Sequence, residues 1–304
     1  MSEGLPTAIL GRTGIEVTRL GFGTALWRPD RHHWTEEAAS EVYNEVLDHG
    51  INFLDTAYDY MFAEEWIGRI LSERYDEFRL ATKCGCTDTQ PDRNSSGHIW
   101  SRSNFLSNID GSLERLGRDS VDIIQPHNPT VAEVEDGELV DAMREMRDSG
   151  KVRHLGISTT LPYLPTFLDW DVFDTMQIPY SALEREHEDW ITKAAEAGVG
   201  IIIRGGVAQG EKSSGDGAGT WGQFERAGLD ELLEPEESRS AFVLRFTLSH
   251  PHAHSIIVGT TRVEHLRENV EAVMRGPLSE DVYAEAKRRL DAIGQTPVPT
   301  GDDE

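Results

Sequence analysis

The sequence predicts one closed (β/α)8 (TIM) barrel, with a small β-hairpin ahead of it and an extra helix behind. Three observations predict it. Short, apolar, β-branched runs alternate with helical stretches eight times in one register. Several of those helices stop at a glycine, the residue that most readily takes the left-handed turn after a helix. No change of composition divides the 304 residues, and the one low-complexity stretch is the Gly/Ser-rich segment 205–222. Strands covered by helices on the outside read as continuous apolar runs. About 250 residues suffice for one barrel, so the chain is expected to be a single domain, residues 1–304, with an acidic, disordered tail over about 295–304.

The elements follow in order. Residues 7–10 and 15–18 flank the turn 11–14 and predict the hairpin. Residues 19–22 open the barrel. The helix 35–49 ends at Gly50, and 51–54 is the second strand. A helix over 63–74 carries Trp66, Ile67, Ile70 and Leu71 at helical spacing. Residues 78–82 form a strand, and Ser101 caps a helix to 116, closed by Gly117. Strand 121–125 leads to a helix over 131–149, and strand 152–157 to a short, proline-interrupted helix over 163–169. Strand 175–178 leads to a helix over 184–197, and strand 199–203 to the Gly/Ser-rich stretch, a candidate lid over a bound ligand. A helix over 240–249, strand 255–258, a helix over 262–274 and a last helix over 279–292 complete the pattern. A Rossmann fold would need G-x-G-x-x-G after a strand; here Gly21 and Gly23 are followed by Leu26 at the third position.

Composition narrows the partners. A net charge of −25 argues against nucleic acid and anionic membrane surfaces, both of which need a cationic face. No apolar run approaches the roughly 20 residues of a membrane span. The start M-S-E-G-L-P-T has no signal-peptide pattern, so a cytoplasmic location is expected. Five lysines stand against 24 arginines. Such an acidic, lysine-poor surface suits a salt-rich (halophilic) cytoplasm, where salt screens self-repulsion. In such a chain a lysine at a strand end, Lys83, stands out. The cysteines, Cys84 and Cys86, lie too close in sequence to bridge readily, and two ligands make no structural zinc site, so they are read as reduced thiols with no metal expected; the alternative is a metal or redox role completed by His98 or a second chain. The H-P-H-A-H run at His250, His252 and His254 precedes the last strand, so it belongs at the face opposite the chemistry. Trp27, Trp100 and Trp221 fall in loops at the functional face.

In such a barrel the chemistry sits at the C-terminal ends of strands and in the loops that follow. Asp55, Lys83 and His127 stand at three such ends, and Tyr60 lies five residues past Asp55. Tyrosine ionises near 10, so at neutral pH it is a proton donor and a poor base. A lysine cation in contact favours the phenolate, and an aspartate beside the lysine keeps it charged. A histidine can hold a substrate oxygen by hydrogen bonding. Together the four suit a reaction in which a carbonyl oxygen gains negative charge and then a proton. Singly, each has an ordinary structural reading: a helix cap, a packed aromatic, a solvated strand end, a satisfied core histidine.

Seven segments in order resemble the aldo-keto reductases: L-G-R-T-G-I-E-V-T-R-L-G-F-G-T, I-N-F-L-D-T-A-Y-D-Y, A-T-K, D-I-I-Q-P-H-N-P, V-R-H-L-G-I-S, the Gln177 strand and S-I-I-V-G-T-T-R-V-E-H-L-R-E-N. The resemblance implies an oxidoreductase using NADPH, or NADH, on a small-molecule aldehyde, ketone or matching alcohol or sugar. It implies Asp55, Tyr60, Lys83 and His127 as the catalytic set, with Tyr60 giving the proton. It implies cofactor contacts at Thr24, Ser158, Thr159, Gln177, Arg204, Gly205 and Val207. The adenosine end would be held by Gly259, Thr260, Thr261, Arg262, His265, Glu268 and Asn269. Substrate contacts are expected at Trp27, Phe62 and Asn128. Three departures stand out: Met61 and Phe62 where the family usually has G-x, Thr159 where it commonly has Asn, and Arg204 where an aromatic often stacks on the nicotinamide. Two other readings remain: a non-catalytic nucleotide-binding regulator on the same barrel, and a metal-dependent barrel hydrolase. The second needs more strand-end ligands than His127 and Asp55.

Overall fold

The computed structural model describes residues 4–26, 35–87, 97–208 and 219–301. Strands β1 (Thr7–Ile9) and β2 (Glu16–Thr18) pair as an antiparallel hairpin. Eight parallel strands close a barrel: β3 (Leu20–Gly23), β4 (Phe53–Asp55), β5 (Arg79–Cys84), β6 (Val121–Pro126), β7 (Val152–Ser158), β8 (Thr175–Pro179), β9 (Gly200–Arg204) and β10 (Ser255–Val258), with β10 closing onto β3. Around it lie α1 (Glu36–Asp48), α2 (Ala63–Ile70), α3 (Arg102–Leu116), α4 (Val131–Asp136), α5 (Leu139–Asp148), α6 (Leu164–Asp169), α7 (Glu188–Glu196), α8 (Gly222–Arg226), α9 (Arg239–Ser249), α10 (Val263–Met274) and α11 (Glu280–Ala292). Side-chain caps start several of them: Thr35, Ser101, Thr130, Ser238 and Ser279 each accept a backbone N–H of the first turn, an interaction worth about 1 kcal/mol. Among the described residues no helix is long and apolar enough to cross a membrane.

Side chains alternate along each strand, and the two sets have different fates. The outward set, with Leu54, Leu80, Ile124, Leu155 and Ile203, packs under the helices in the main core. The inward set begins as an apolar floor of Phe53, Ala81, Ile123 and Ile202, plugged from below by Leu10 and Val17 of the hairpin. Each large floor residue contributes roughly 1.5–3 kcal/mol by leaving water. Gly11 lets the hairpin approach. Its φ is +51°, and a Cβ there would lie 2.3 Å from the Gly200 nitrogen.

Several expectations need correction. Strands β4 and β5 extend to Asp55 and Cys84, so Asp55 and Lys83 belong to the strands themselves. The helix expected over 63–74 stops at Ile70. The Tyr75 hydroxyl donates to the carbonyls of Gly68 and Leu116, and Arg74 turns to pair with Asp48 and Glu77, fixing a short 3-10 turn instead. The helix expected over 131–149 is broken into α4 and α5. At Gly137 a Cβ would lie 2.6 Å from the Trp100 carbonyl oxygen, and Glu138 takes φ +51°. The helix expected from 184 starts at Glu188, because Ser181 and Glu184 exchange backbone hydrogen bonds in a turn. Helix α8 and the 3-10 turn Leu229–Leu232 were not anticipated. Most of the lid candidate, residues 209–218, lies outside the described residues, as does Trp27; at its borders the Trp221 indole donates to the Ala208 carbonyl at 3.2 Å.

Candidate active site

Two residues above the apolar floor the inward layer turns polar. Phe53 is followed by Asp55, Ala81 by Lys83 and Ile123 by Gln125, and on β8 Gln177 stands two positions above the buried Thr175. Period-2 geometry therefore aims four polar side chains at one point near the C-terminal end of the barrel. The Lys83 ammonium donates to Asp55 at 2.6 Å and to the Thr56 carbonyl at 2.8 Å. The other Asp55 oxygen accepts from the Gln177 amide at 2.7 Å and the Gln125 amide at 3.2 Å. Thr24 completes this shell: its backbone N–H donates to the Asp55 carbonyl at 3.0 Å, and its hydroxyl to that of Thr56 at 2.9 Å.

Tyr60 and His127 come from the loops above. The Lys83 ammonium is 4.9 Å from the centre of the Tyr60 ring, and the rings of Tyr60 and His127 meet edge to face at 5.8 Å. The structure thus brings the four predicted residues together. Burial is the largest influence on both acids. It raises the Tyr60 phenol above its ordinary value; Lys83 opposes this, while Asp55 and Asp59 add to it. The sequence led to the opposite sign, because contact with lysine alone lowers a phenol; the dry barrel mouth outweighs that contact. Burial also pulls Lys83 down, but Asp55 and Tyr60 outweigh it and hold the ammonium above its ordinary value.

The remaining predicted residues form two groups. Ser158 and Thr159 are buried at the end of β7; Ser158 donates to Asn128 at 2.9 Å, and Arg204 reaches the same amide oxygen at 3.3 Å. Asn128 stands at φ +64° and Gly205 at +71°, both at turns after barrel strands. Val207, partly buried, packs on the core. Burial lowers the Arg204 guanidinium, and Glu184 partly offsets it. The second group lies around the start of α10. Arg262 occupies its N-cap without a side-chain cap, and the Thr260 hydroxyl accepts the Arg262 N–H at 3.1 Å. A cavity of about 420 Å³ opens there, lined by Glu41, Val42, Thr261, Arg262 and Glu264. His265 and Glu268 are exposed on α10, and Asn269 half-buried. At Gly259 a Cβ would lie 2.8 Å from the Gly23 carbonyl oxygen. Phe62 stacks on Trp66 at 5.8 Å beside the Tyr60 loop.

Sequence reasoning passed over Gln125 and Asp59, and gave Cys86 a metal role only as the alternative, completed by His98. Gln125 carried a signal, a polar residue two positions above an apolar floor residue. Asp59 lies 3.5 Å, and the Cys86 sulfur 3.4 Å, from Nδ1 of His127. Two of the H-P-H-A-H histidines bind backbone N–H groups through their rings. His250 Nδ1 accepts the His252 N–H at 3.2 Å, and His254 Nδ1 accepts the Ile201 N–H at 2.9 Å.

The model of the aldo/keto reductase family matches residues 19–291. The oxidoreductase YqkF of Bacillus subtilis (strain 168) is 28% identical over 90% of this chain and 92% of its own. L-galactose dehydrogenase of Arabidopsis thaliana is 25% identical over 96% of each chain. Among solved structures, the holo form of aldo-keto reductase AKR11C1 from Bacillus halodurans superposes with a TM-score of 0.84 at 27% identity, covering 94% of this chain and 96% of that one.

Proposed function

The chain belongs to the aldo/keto reductase family, and from that premise we propose that it moves hydride between a nicotinamide dinucleotide and the carbonyl of an aldehyde or ketone, with Tyr60 as the proton donor. The observation that carries this is the buried Lys83–Asp55 pair, 2.6 Å apart, set 4.9 Å under the Tyr60 ring. Burial keeps the phenol protonated until a substrate oxygen takes the proton. The Lys83 cation then stabilises the phenolate left behind, and Asp55 keeps that lysine charged. Two amide donors, Gln125 and Gln177, occupy the far oxygen of Asp55 and stop it from swinging away. With Nδ1 of His127 turned toward Cys86 and Asp59, its Nε2 is left for the substrate oxygen.

NADPH is the proposed cofactor, with NADH the second candidate; when bound it supplies the hydride. Thr24, Ser158, Thr159, Gln177, Arg204, Gly205 and Val207 would surround the nicotinamide. Gly259, Thr260, Thr261, Arg262, His265, Glu268 and Asn269 would hold the adenosine phosphates. The fit rests on the N-terminus of α10, which has no side-chain cap and borders a cavity. Free N–H groups and the helix dipole favour phosphate there. Arg262 favours a 2′-phosphate, while Glu41 and Glu264 in the same cavity temper that preference. Asn128 and Phe62 are proposed to border the substrate.

Tyr60→Phe tests the reading. Turnover should fall by roughly 10²–10⁴-fold, the usual contribution of a positioned acid, while quenching of tryptophan fluorescence by NADPH stays as in the parent. Near-normal turnover would sink the acid role. Tight NADPH binding with no turnover of any carbonyl by the parent protein would favour a regulatory subunit. The L-galactose dehydrogenase relative brings sugars and their alcohols into the substrate screen, alongside simple aldehydes and ketones.

A further inference from the structure

Behind His127 lies a convergence of side chains richer than the orienting of its ring requires. Among the described residues, Asp59, Cys86, His98 and His127 each offer one ligand atom, and the four atoms lie within 4.8 Å of one another. We propose that they form a binding site for a thiophilic divalent cation of the zinc class, seated on Nδ1 of His127.

The donor chemistry is one sulfur, two imidazole nitrogens and one carboxylate oxygen, a set suited to tetrahedral zinc. Arms of about 2.0–2.3 Å give a tetrahedron with edges of roughly 3.3–3.7 Å. Two edges already have that length: Cys86 Sγ to His127 Nδ1 at 3.4 Å, and His127 Nδ1 to Asp59 Oδ1 at 3.5 Å. The others need only small side-chain rotations to close from within 4.8 Å.

The scaffold fixes the donors from several sides. Cys86 and His98 face each other across an antiparallel bridge. The Thr87 N–H donates to the Gly97 carbonyl at 2.9 Å, and the Ile99 N–H to that of Gly85 at 2.8 Å. From α3, the Asn108 side chain accepts both the Gly85 and Cys86 N–H groups, and Asn104 donates to the Cys86 and Ile99 carbonyls. The His98 imidazole stacks flat on Trp100, at 4.9 Å and 2°, and stands perpendicular to that of His127 at 5.4 Å. Two ring ligands thus approach the centre from different directions. Asp59 and Cys86 are buried and His98 exposed, which gives the cation an entry path from the His98 side. On binding, the Cys86 thiol releases its proton to solvent, and thiolate and carboxylate together balance a 2+ charge.

A cation on Nδ1 leaves the imidazole proton on Nε2 and polarises it toward the substrate oxygen. This consequence rests on the proposed reductase function; occupancy of the site does not.

The test uses the full chain, stripped with a chelator and held in high salt with excess Mg²⁺ to occupy the acidic surface. It is then titrated with Co²⁺ as a spectroscopic probe. One equivalent should bind with tetrahedral d–d absorption and a thiolate-to-cobalt charge-transfer band, and Zn²⁺ should bleach both. Cys86→Ala should abolish the charge-transfer band, and Cys84→Ala should keep it. His98→Gln, at an exposed position that does not threaten folding, should weaken binding by more than the roughly 10–100-fold typical of an outer-shell partner. Tyr60→Phe should bind cobalt as the parent does, so a failed reductase reading and a failed metal site give different results. No thiolate band in the parent, or a band that survives Cys86→Ala, overturns the site.

Discussion

Lys83 and Asp55 meet at 2.6 Å inside the barrel, with side chains 1% and 3% exposed. Bringing such charges out of water costs several kcal/mol per ion, which their attraction offsets only with further hydrogen bonds. Those bonds are present, from Lys83 to the Thr56 carbonyl and to Asp55 from two glutamine amides.

Lys83→Met should therefore destabilise the fold by about 3–5 kcal/mol, because it strands a buried carboxylate. Adding Asp55→Asn should restore most of that loss, since an amide needs no counter-charge. Urea unfolding of the two proteins decides it. A double variant as unstable as the single would mean that packing, and not stranded charge, sets the cost.

The pH dependence of reduction follows from Tyr60. The protonated phenol is the working form, so activity persists below its pKa and fails above it. Burial raises that pKa over the opposition of Lys83. The rate plateau should then run past pH of about 10, where an ordinary tyrosine ionises. Brief assays across the alkaline range give the limb, and a fall in rate centred well below 10 contradicts the assignment.

The two strand-borne residues of the site were legible from their places at the ends of apolar runs, and strand periodicity, which is local, gives their direction. Phe53 and Ala81 point inward, so Asp55 and Lys83 must as well. The same rule covers Gln125, which an eye fixed on titratable residues passes over. Tyr60 and His127 were legible from their places after strands, though not from their geometry. Asp59, Cys86 and His98 carry no such local signal. Their meeting with His127 depends on three loops and on a backbone bridge between Cys86 and His98, twelve apart in sequence. The break between α4 and α5 was likewise invisible, because its cause is the Trp100 backbone, far from Gly137 in the chain.

Acid should destabilise the protein through His250. Its side chain is buried and neutral: Nδ1 accepts the His252 N–H, and Nε2 faces the Glu188 carbonyl at 3.3 Å. Burial lowers its pKa to about 4; the nearby Glu188 opposes this, and His252 and Lys287 add to it. The folded value thus lies below the unfolded one of about 6.5, and the unfolded chain takes up the proton first. The stabilisation is complete above about 6.5 and is lost as pH falls toward 4, by at most about 3 kcal/mol. His250→Asn keeps an acceptor for the His252 N–H and cannot titrate, so its unfolding free energy should fall less steeply across that window. Equal slopes in the two proteins would remove His250 from the account.

Arg262 should decide between the two nucleotides. It stands at the N-cap of α10, beside the Thr260 hydroxyl and at the mouth of the cavity it shares with Glu41 and Glu264. A 2′-phosphate bound there gains a charge-assisted contact worth roughly 1.5–3 kcal/mol. The two glutamates repel the same phosphate, so the net preference for NADPH should be modest in the parent. Fluorescence quenching should saturate at lower NADPH than NADH. Arg262→Ala should weaken NADPH by about 10–100-fold, the equivalent of that contact, and leave NADH nearly unchanged, because NADH carries no 2′-phosphate to lose. Rising salt should narrow the gap in the parent and have little effect on it in the variant, since screening acts on the phosphate–guanidinium attraction. Equal weakening of both nucleotides would instead assign Arg262 to the shared diphosphate, and would move the choice between NADPH and NADH to His265 and Asn269 on the next turns of the helix.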